Sequence, residues 1–326
     1  MERVSAFMAP ELFKTGFIPH FFYRGLFMYI AGIDFGGTNL KFGVFDEELN
    51  CVYSTLAHSI RGDTRASARQ IRELIEKAPF RPEILGVGVP GTVFRPSGAV
   101  NSGNLRWAGV NFGATLEQET GLKVHLDNDA QCALAAETLP GGSCFGVKDA
   151  VYLTLGTGIG GALLIDGKPW RGHDNAAGEL GHFVTHAGGL RCNCGLRGCF
   201  EMYASAGALS RYAGGVKARA VLDRARAGDA QMTEALSRYA QELAIGICSL
   251  YMVFRPEAIV LGGGVSAGGE ILIEQILSHV YSVYNLDADI MRRTLRLATR
   301  LNDAGMAGAA ALAKMHFSEQ NGGNRE

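Results

Sequence analysis

The amino-acid sequence predicts an α/β protein built from two similar halves. A module of strand, glycine-rich turn and strand occurs twice, first at residues 29–45 and again at residues 150–165. In each half, short apolar runs typical of buried strands alternate with segments whose apolar residues recur at helical spacing. A chain of 326 residues, 47% of them hydrophobic, can bury enough apolar surface for about two domains.

In the first half, the sequence predicts a series of strands and helices. They are a strand over 29–34, a turn at Gly36-Gly37-Thr38, a strand over 40–45, a helix over 66–78, strands over 84–89 and 123–126, and a helix over 130–137. Asp127-Asn128-Asp129 comes directly after the last of these strands, so the pattern places carboxylates at the end of a strand.

The second half repeats this beginning and then adds longer helices. We expect a strand over 150–155, a turn over 156–161, a strand over 162–165, helices over 216–226 and 232–254, a strand over 258–261, a turn at Gly262-Gly263-Gly264 and a helix over 270–281. A last helix over about 306–315 is apolar enough to pack back onto the first half. We therefore expect a small lobe over 28–146, joined by that helix, and a large lobe over 147–305.

Composition and charge argue against several classes of protein. The net charge of -1 provides no overall basic field to hold nucleic acid, and no uncharged stretch reaches the ~20 residues that a membrane-spanning helix needs. The seven cysteines are an odd number, and three of them lie between residues 192 and 199. This distribution is typical of a reducing compartment, which predicts a cytoplasmic protein with one metal site.

Residues 1–27 differ from the rest of the chain. They contain phenylalanine-rich pieces interrupted by charged residues, without the continuous apolar core or small-residue cleavage site of a secretory signal. The first convincing strand begins only after Met28. We therefore expect these residues to be an extension outside the fold, arising from an upstream translation start; the alternative is an ordered appendage.

Two glycine-rich turns are candidate phosphate-binding loops. Residues 156–161 match the spacing G-x-G-x-x-G of dinucleotide-binding proteins, but that motif requires a following helix, and here a strand follows. A nicotinamide cofactor is therefore not predicted. Glycine turns between two strands can still cradle phosphate oxygens with their backbone N–H groups. Each of the two turns contains a threonine, and Asp34 and Lys41 flank the first, which favours one nucleotide held from both sides.

The segment Asp34-Phe35-Gly36-Gly37-Thr38, together with Gly156-Thr157-Gly158 and Gly262-Gly263-Gly264, resembles the nucleotide-binding frame of the actin-like ATPase and sugar kinase superfamily. The resemblance implies two RNase H-like lobes with a nucleotide and sugar cleft between them. It further implies that the first turn and Thr157-Gly158 hold the triphosphate of ATP, that Asp34 lies near Mg²⁺, and that the three glycines lie under the adenosine.

Cys192, Cys194 and Cys199 form a compact group of potential metal ligands. Three thiolates with one histidine complete the tetrahedral shell of a structural Zn²⁺. His182 is the natural fourth ligand, and His186 is the alternative that spacing alone does not exclude.

The segments Gly178-Glu179-Leu180-Gly181-His182 and Cys192-x-Cys194-Gly195-x-x-Gly198-Cys199-x-Glu201 are similar to the signature of the ROK family, named for repressors, open reading frames and kinases. With the phosphate loops, the resemblance covers residues 28 to about 313. It implies that zinc shapes a loop from which Glu179, His182 and Glu201 contact sugar hydroxyls. It also implies a homodimer.

A kinase needs a base aimed at the hydroxyl group that it phosphorylates. The family resemblance assigns this role to Asp129 and hydrogen bonding of a neighbouring hydroxyl to Asn128; the alternative is that Asp129 only caps the following helix. Asp127 stands where the family often has glutamate, and we expect no catalytic role for it. Asn104 resembles the asparagine of a Pro-Asn-Leu sugar-binding turn, with glycine in place of proline. Trp107 could cover a sugar face, although ordinary packing is the more usual role of such a residue.

These observations predict ATP-dependent phosphorylation of a hexose, with glucose at its 6-hydroxyl favoured. Fructose, allose, mannose, N-acetylmannosamine and N-acetylglucosamine stay open, because the shape of the pocket decides among them. A sugar-responsive repressor would add a helix-turn-helix domain, for which residues 1–27 are too short and too poor in basic residues. A sugar sensor without catalysis would not need the base at Asp129.

Deletion of residues 1–27 should leave folding and turnover nearly unchanged, because chain termini often lie outside the ordered fold. Melting temperature and phosphorylation rate of the truncated and full-length chains provide the test. A large loss in either quantity would show that the segment packs on the fold.

Overall fold

Two five-stranded sheets form the centre of the molecule, and their strands follow the same order. This is seen in a computed structural model that describes residues 28–300 and 303–322. The predicted extension over 1–27 lies outside these ranges. By residue range, the strand order of the first sheet is 51–58, 39–45, 30–35, 84–89 and 123–128, and that of the second sheet is 168–170, 159–165, 150–155, 258–262 and 295–297. The repeated module seen in the sequence is thus one α/β unit formed twice, and the predicted fold class is confirmed.

The first lobe contains eight strands and three helices within the described residues. The strands are β1 (Ile30–Phe35), β2 (Asn39–Phe45), β3 (Cys51–His58), β4 (Ile84–Val89), β5 (Thr92–Val93), β6 (Val100–Ser102), β7 (Trp107–Val110) and β8 (Lys123–Asn128); the helices are α1 (Thr64–Lys77), α2 (Phe112–Thr120) and α3 (Asp129–Glu137). β1 pairs antiparallel with β2 and parallel with β4, which pairs parallel with β8. β5, β6 and β7 form a small separate sheet.

The second lobe repeats this arrangement and carries most of the helices. Its strands are β9 (Ala150–Leu155), β10 (Ile159–Ile165), β11 (Lys168–Trp170), β12 (Ala258–Gly262) and β13 (Leu295–Leu297), and its helices are α4 (Glu201–Ala204), α5 (Ala206–Tyr212), α6 (Ala218–Arg226), α7 (Ala230–Phe254), α8 (Glu270–Tyr284) and α9 (Ala288–Thr294). The last helix, α10 (Ala304–Gly322), returns to the first sheet. None of the helices in the described ranges is long and apolar enough to cross a membrane.

The sequence-based elements agree with these bounds except in a few places. The second glycine turn is shorter than 156–161, because Ile159 already pairs with Leu155. The helix expected over 216–226 begins at Ala218. Sequence analysis missed strands β3, β5, β6, β7, β11 and β13 and helices α2, α4, α5 and α9. The residues of β3 are partly or fully exposed, and the other missed strands have only two to four residues each, so none of them shows a clear apolar run.

Helices α3 and α10 lie between the two sheets. α10 packs on β1, β4 and α3, while α3 also contacts β9 and β10 of the second lobe. The apolar cluster that surrounds them contains small residues from both lobes, among them Ala130 and Ala133 of α3, Ala162 of β10 and Ala310 of α10. The return of the last helix to the first sheet is thus observed, whereas the lobe boundaries at 146 and 305 stay a prediction.

Close contact between α10 and the first sheet depends on glycine. A Cβ atom at Gly32 of β1 would lie 2.0 Å from the carbonyl oxygen of Met306, and one at Gly86 of β4 would lie 1.9 Å from that of Ala309. Within the helix layer, a Cβ atom at Gly308 would lie 1.6 Å from the carbonyl oxygen of Cys132. Real side chains cannot occupy these spaces, so any larger residue must push the helices away.

Gly86→Ala should lower the free energy of unfolding by about 1–3 kcal/mol or more, because overpacking forces the backbone to move. The control is Gly207→Ala in helix α5, where the nearest atom to a new Cβ is 3.6 Å away. Alanine there should be neutral or stabilise the helix by up to about 1 kcal/mol. Thermal melting of both variants decides the point, and an unchanged melting temperature for Gly86→Ala would contradict this account.

Candidate active site

Two carboxylates lie at the edge where the parallel strands of the first sheet end. Asp34 belongs to β1 and Asp129 directly follows β8, with β4 between these strands. The register pairs Asp34 with Gly88 of β4, and Gly88 with Asp127 of β8. Because parallel strands end at the same edge of a sheet, residues that are far apart in the sequence meet in one cleft.

The carboxyl group of Asp129 has the electrostatics of a general base. Burial, together with the nearby charges of Asp34 and Glu179, raises the pKa of Asp129 from an ordinary value of 3.8 to about 7, although a hydrogen bond from the backbone N–H of Ala130 lowers it. That N–H lies 2.9 Å from Oδ1. A pKa close to the working pH is the condition under which a carboxylate accepts a proton most effectively in a transition state.

Asn128, and not Asp129, is the N-cap of α3. Its Oδ1 accepts from the backbone N–H groups of Ala130 and Gln131 at 2.8 and 3.4 Å, and its Nδ2 donates to the carbonyl of Gly91 at 2.8 Å. Asp129 is therefore the first residue of the helix and does not occupy the capping position, while its role as the base stays a prediction. Both ends of the Asn128 amide contact the protein, so its contact with a sugar hydroxyl stays a prediction.

Asp127 is a buried carboxylate in an ion pair between the lobes. Its Oδ2 lies 2.6 and 2.8 Å from Nη2 and Nε of Arg171, which follows β11, and 3.4 Å from Nε2 of His125. Burial by itself raises the pKa of Asp127, but the hydrogen bond with His125 and the charge of Arg171 outweigh it and lower the pKa to about 2. Asp127 is thus permanently ionised and paired, as a structural residue would be.

The first glycine turn, residues 36–38, contacts residues of two neighbouring loops. Ser59 Oγ donates to the carbonyl of Gly36 at 2.6 Å, while the exposed Thr38 lies at the tip of the turn. A Cβ atom at Gly37 would lie 3.4 Å from the Cβ of Asn104. The predicted phosphate turn and the predicted sugar-binding asparagine are therefore neighbours.

Asp34 is held at the base of this turn. Nζ of Lys41 lies 3.5 Å from its Oδ2, and a Cβ atom at Gly305, in the first turn of α10, would lie 2.5 Å from its Cγ. A carboxylate fixed beside a phosphate turn suits a site for Mg²⁺, which is usually held by one or two carboxylates together with substrate phosphates.

The second glycine turn is in contact with Glu201. The turn closes with a bond of 3.0 Å from the N–H of Gly156 to the carbonyl of Gly158. Oε2 of Glu201 accepts from the N–H of Ile159 at 2.9 Å, and a Cβ atom at Gly158 would lie 2.2 Å from this oxygen. Glu201 therefore connects the cysteine-rich loop, residues 192–199, to the predicted phosphate turn at residues 156–158. Its contact with sugar stays a prediction.

The three glycines Gly262, Gly263 and Gly264 lie beside this turn. Gly262 pairs with Thr154 of β9, so the end of β12 meets the strand that leads into residues 156–158. Gly263 has a φ of 82°, and a Cβ atom there would lie 2.7 Å from the carbonyl oxygen of Leu155. Only glycine fits this backbone conformation and this close approach.

Glu179 faces a small cavity between the lobes. Its Oε1 accepts from Thr92 Oγ1 at 3.3 Å, and Asn175 Nδ2 donates to the carbonyl of Val93 at 2.7 Å. The cavity is lined by Gly91, Thr92, Asn128, Gly160, Gly161, Asn175, Ala176, Ala177, Gly178 and Glu179. Polar groups of both lobes thus converge on a space next to Asp129. Sequence analysis missed Thr92, Asn175 and Arg171, whose only sequence signal is their proximity to Pro90-Gly91 and to Glu179.

His182 and the three cysteines come together in one cluster. The ligand atoms of these four residues lie within 4.8 Å of one another. Nδ1 of His182 is 3.6 Å from Sγ of Cys192, and Sγ of Cys194 is 3.5 Å from Sγ of Cys199. Three thiolates and one imidazole have the chemistry of a closed, structural Zn²⁺ site.

The two candidate histidines have different surroundings. Nε2 of His186 lies 3.6 Å from Oε2 of Glu242, and its ring stacks on Tyr203 with a centroid distance of 3.9 Å. His182 reaches the thiols with Nδ1, while its Nε2 lies 4.0 Å from Oε2 of Glu179. His182 therefore fits the fourth position, with its second nitrogen available on the side of the cavity.

Comparison with known proteins agrees with this geometry. The sequence profile of the ROK family matches residues 30–316. The chain belongs to the ROK family. The match includes both glycine turns, the strand end at Asp129 and the whole cysteine-rich loop, so the structural elements around the cleft are those of the family.

Three relatives illustrate the range within the ROK family. A glucokinase of Thermotoga maritima is 33% identical, over 87% of this chain and 97% of its own length. An N-acetyl-D-glucosamine kinase of Aliivibrio salmonicida is also 33% identical, over 86% of this chain and 98% of its own. The crystal structure of a ROK family glucokinase from Streptomyces griseus, in complex with glucose and AMPPNP, has a TM-score of 0.76 and 29% identity, and covers 89% of this chain and 100% of its own.

The cluster should bind about one zinc ion per chain, and Cys194→Ser should weaken zinc binding and sugar binding together. The reason is that His182 belongs to the cluster and also faces Glu179. Metal analysis and sugar titration of the purified proteins provide the measurement. Cys248→Ser, at a buried thiol in α7 outside the cluster, is the control. Normal sugar binding in a zinc-free protein would contradict the prediction.

Proposed function

We propose that this protein is an ATP-dependent hexose kinase in which Asp129 is the general base. The observation that carries the proposal is the position of Asp129. Its carboxyl group, with a pKa raised to about 7, lies at the end of β8 between the Asp34 turn and the cavity that Glu179 faces. A group in this place can accept a proton from a sugar hydroxyl on one side while phosphate is held on the other.

The proposed reaction is a direct transfer of phosphate. The sugar hydroxyl gives its proton to Asp129, its oxygen forms a bond to the γ-phosphorus of ATP, and the bond from that phosphorus to the β,γ-bridging oxygen breaks to release ADP. Backbone N–H groups of the turns at 36–38 and 156–158 would hold the phosphates. Mg²⁺, when bound with ATP, neutralises the charge of the transferred group, and Asp34 is the carboxylate placed to hold it.

Zinc would act as a scaffold, separate from the chemical step. The cluster keeps His182 in one orientation, and the same short loop leads into Glu201, which accepts a hydrogen bond beside the second glycine turn. A rigid loop loses little entropy when sugar binds, since its side chains are already in position. We therefore assign Glu179, His182, Asn104, Asn128 and Glu201 to the binding of sugar.

Glucose at its 6-hydroxyl is the favoured substrate, because glucokinases are among the relatives that align over nearly their full length. N-acetylglucosamine is the main competitor, given the similar N-acetyl-D-glucosamine kinase. A coupled assay of ADP release with glucose, mannose, fructose, allose and the N-acetylhexosamines decides between them. We further propose a cytoplasmic location, which suits seven free cysteines, and a homodimer, which size-exclusion chromatography would test.

Asp129→Asn should lower kcat by at least about two orders of magnitude and change sugar affinity little, since general base catalysis contributes ~10²- to 10⁴-fold. The control is Asp287→Asn, which makes the same change at the N-cap of α9 and should leave turnover unchanged. Steady-state kinetics and sugar titration provide the measurement. Near-normal kcat in Asp129→Asn would remove this residue from the mechanism.

The raised pKa of Asp129 also predicts how stability depends on pH. A carboxyl group whose folded pKa is about 7 and whose unfolded value is near 3.8 binds its proton more tightly in the folded state, so its contribution to stability is lost as pH rises through 7. The melting temperature of the wild type should therefore fall relative to that of Asp129→Asn between pH 4 and pH 8. Melting curves of the two proteins, measured in parallel over this pH range, provide the test. A wild-type melting temperature that rises relative to that of Asp129→Asn would contradict the prediction.

A further inference from the structure

Glu137 lies where the chain crosses between the lobes. It is the last residue of α3, the helix that begins with Asp129, and its side chain is fully buried. The first crossing runs from α3 to β9 through residues 138–149, and the second leaves β13 at residues 298–300 on the way to α10. A buried carboxylate at this point is costly unless hydrogen bonds replace its water.

The Glu137 carboxylate accepts hydrogen bonds from both crossings. From the first, the N–H of Ser143 donates to Oε2 at 2.7 Å. From the second, the N–H groups of Thr299 and Arg300 donate to Oε1 at 3.0 and 2.8 Å, and Thr299 Oγ1 donates to Oε2 at 2.9 Å. Four donors fill the usual capacity of a carboxylate, which accepts but cannot donate when ionised.

The electrostatics agree with a permanently charged group. Burial by itself raises the pKa of Glu137, but the backbone N–H groups of Ser143 and Arg300, followed by the side chains of Ser143 and Thr299, lower it below its ordinary value. The charge is therefore stabilised by fixed protein dipoles and does not require a cation.

The two crossings are also bonded to each other. Nη2 of Arg300 donates to the carbonyl of Pro140 at 2.8 Å, and Oγ1 of Thr299, whose proton is directed to Glu137, lies 3.1 Å from the carbonyl oxygen of Gly141. Nη1 of Arg296 donates to the carbonyl of Ser143 at 2.6 Å. Both connections between the lobes thus converge around one carboxylate. We call the residues that make these contacts the hinge cluster: Glu137, Pro140, Gly141, Ser143, Arg296, Thr299 and Arg300.

We propose that Glu137 is a positioning residue that fixes the axis on which the lobes close and thereby sets the place of Asp129 opposite the second phosphate turn. The inference rests on the proposed function. Helix α3 has nine residues, a length of roughly 14 Å at 1.5 Å per residue, with Asp129 at one end and Glu137 at the other. A change of angle at the hinge cluster is therefore carried by a rigid helix to the base.

The main test is Glu137→Gln. Glutamine offers one acceptor oxygen, and its amide N–H₂ would face N–H groups that need an acceptor. Because hinge residues affect closure and chemistry together, we expect kcat to fall by roughly 10- to 100-fold and the KM for the hexose to rise, unlike in Asp129→Asn. Small-angle X-ray scattering with glucose and Mg·AMPPNP, or with the best hexose of the panel, should show less compaction than in the wild type.

The matched control is Glu117→Gln in helix α2. Its carboxylate also accepts from a backbone N–H, that of Val124 at 3.1 Å, but both groups belong to the first lobe. It should leave kcat, KM and compaction as in the wild type. If Glu137→Gln is less stable but has wild-type kinetics and compaction below its melting temperature, the inference is overturned, because Glu137 would then be only structural.

A milder pair of variants keeps the test available if Glu137→Gln does not fold. Thr299→Val removes one donor to Glu137 and should show the same combined change in kcat and KM at smaller size, whereas Thr299→Ser keeps the hydroxyl and should restore wild-type values. Equal kinetics for valine and serine would overturn the inference. Failure of the wild type to phosphorylate any hexose would instead overturn the proposed function, while the scattering measurement would still test the hinge.

Discussion

The close packing of α3 and α10 between the two sheets is the constraint on which the rest of the structure depends. The carbonyls of α10 lie against Gly32 and Gly86, and those of α3 lie against Gly308, so the helices approach to distances that no side chain would allow. Interiors packed at this density transmit small displacements, since there is no free volume to absorb them. Asp129 at the start of α3 and the hinge cluster at its end therefore belong to one tightly packed unit.

Charge is distributed around this layer according to the role of each carboxylate. Asp127 and Glu137 are buried and fully hydrogen-bonded, and the pKa of each is lowered, so both stay ionised and structural. Asp129 has fewer stabilising contacts and lies near Asp34, and its pKa is raised. Asp127 and Asp129 are only two residues apart, and their pKa values differ because their partners differ. One strand end can thus supply both a structural carboxylate and a candidate base.

The cysteine-rich loop connects the two substrates of the proposed reaction. His182 lies between the thiols and Glu179, while Glu201 accepts a hydrogen bond at the second phosphate turn. One segment therefore contacts both Glu179 and the turn at 156–158, the two sides to which we assign the sugar and the nucleotide. In a kinase this arrangement would prevent the sugar hydroxyl and the phosphate from shifting relative to each other, because both are positioned by the same rigid loop.

The sequence by itself determined the local features of this protein. Apolar periodicity and glycine turns predicted the repeated α/β unit, and the spacing of Cys192, Cys194 and Cys199 predicted a metal cluster, because these signals depend on neighbours along the chain. Only the tertiary structure decided that Asn128 caps α3 and that His182, rather than His186, lies beside the thiols. The hinge cluster was likewise invisible, since Glu137 and Thr299 are 162 residues apart. Contacts of this kind leave no periodic pattern, and they form only when both lobes have folded and packed.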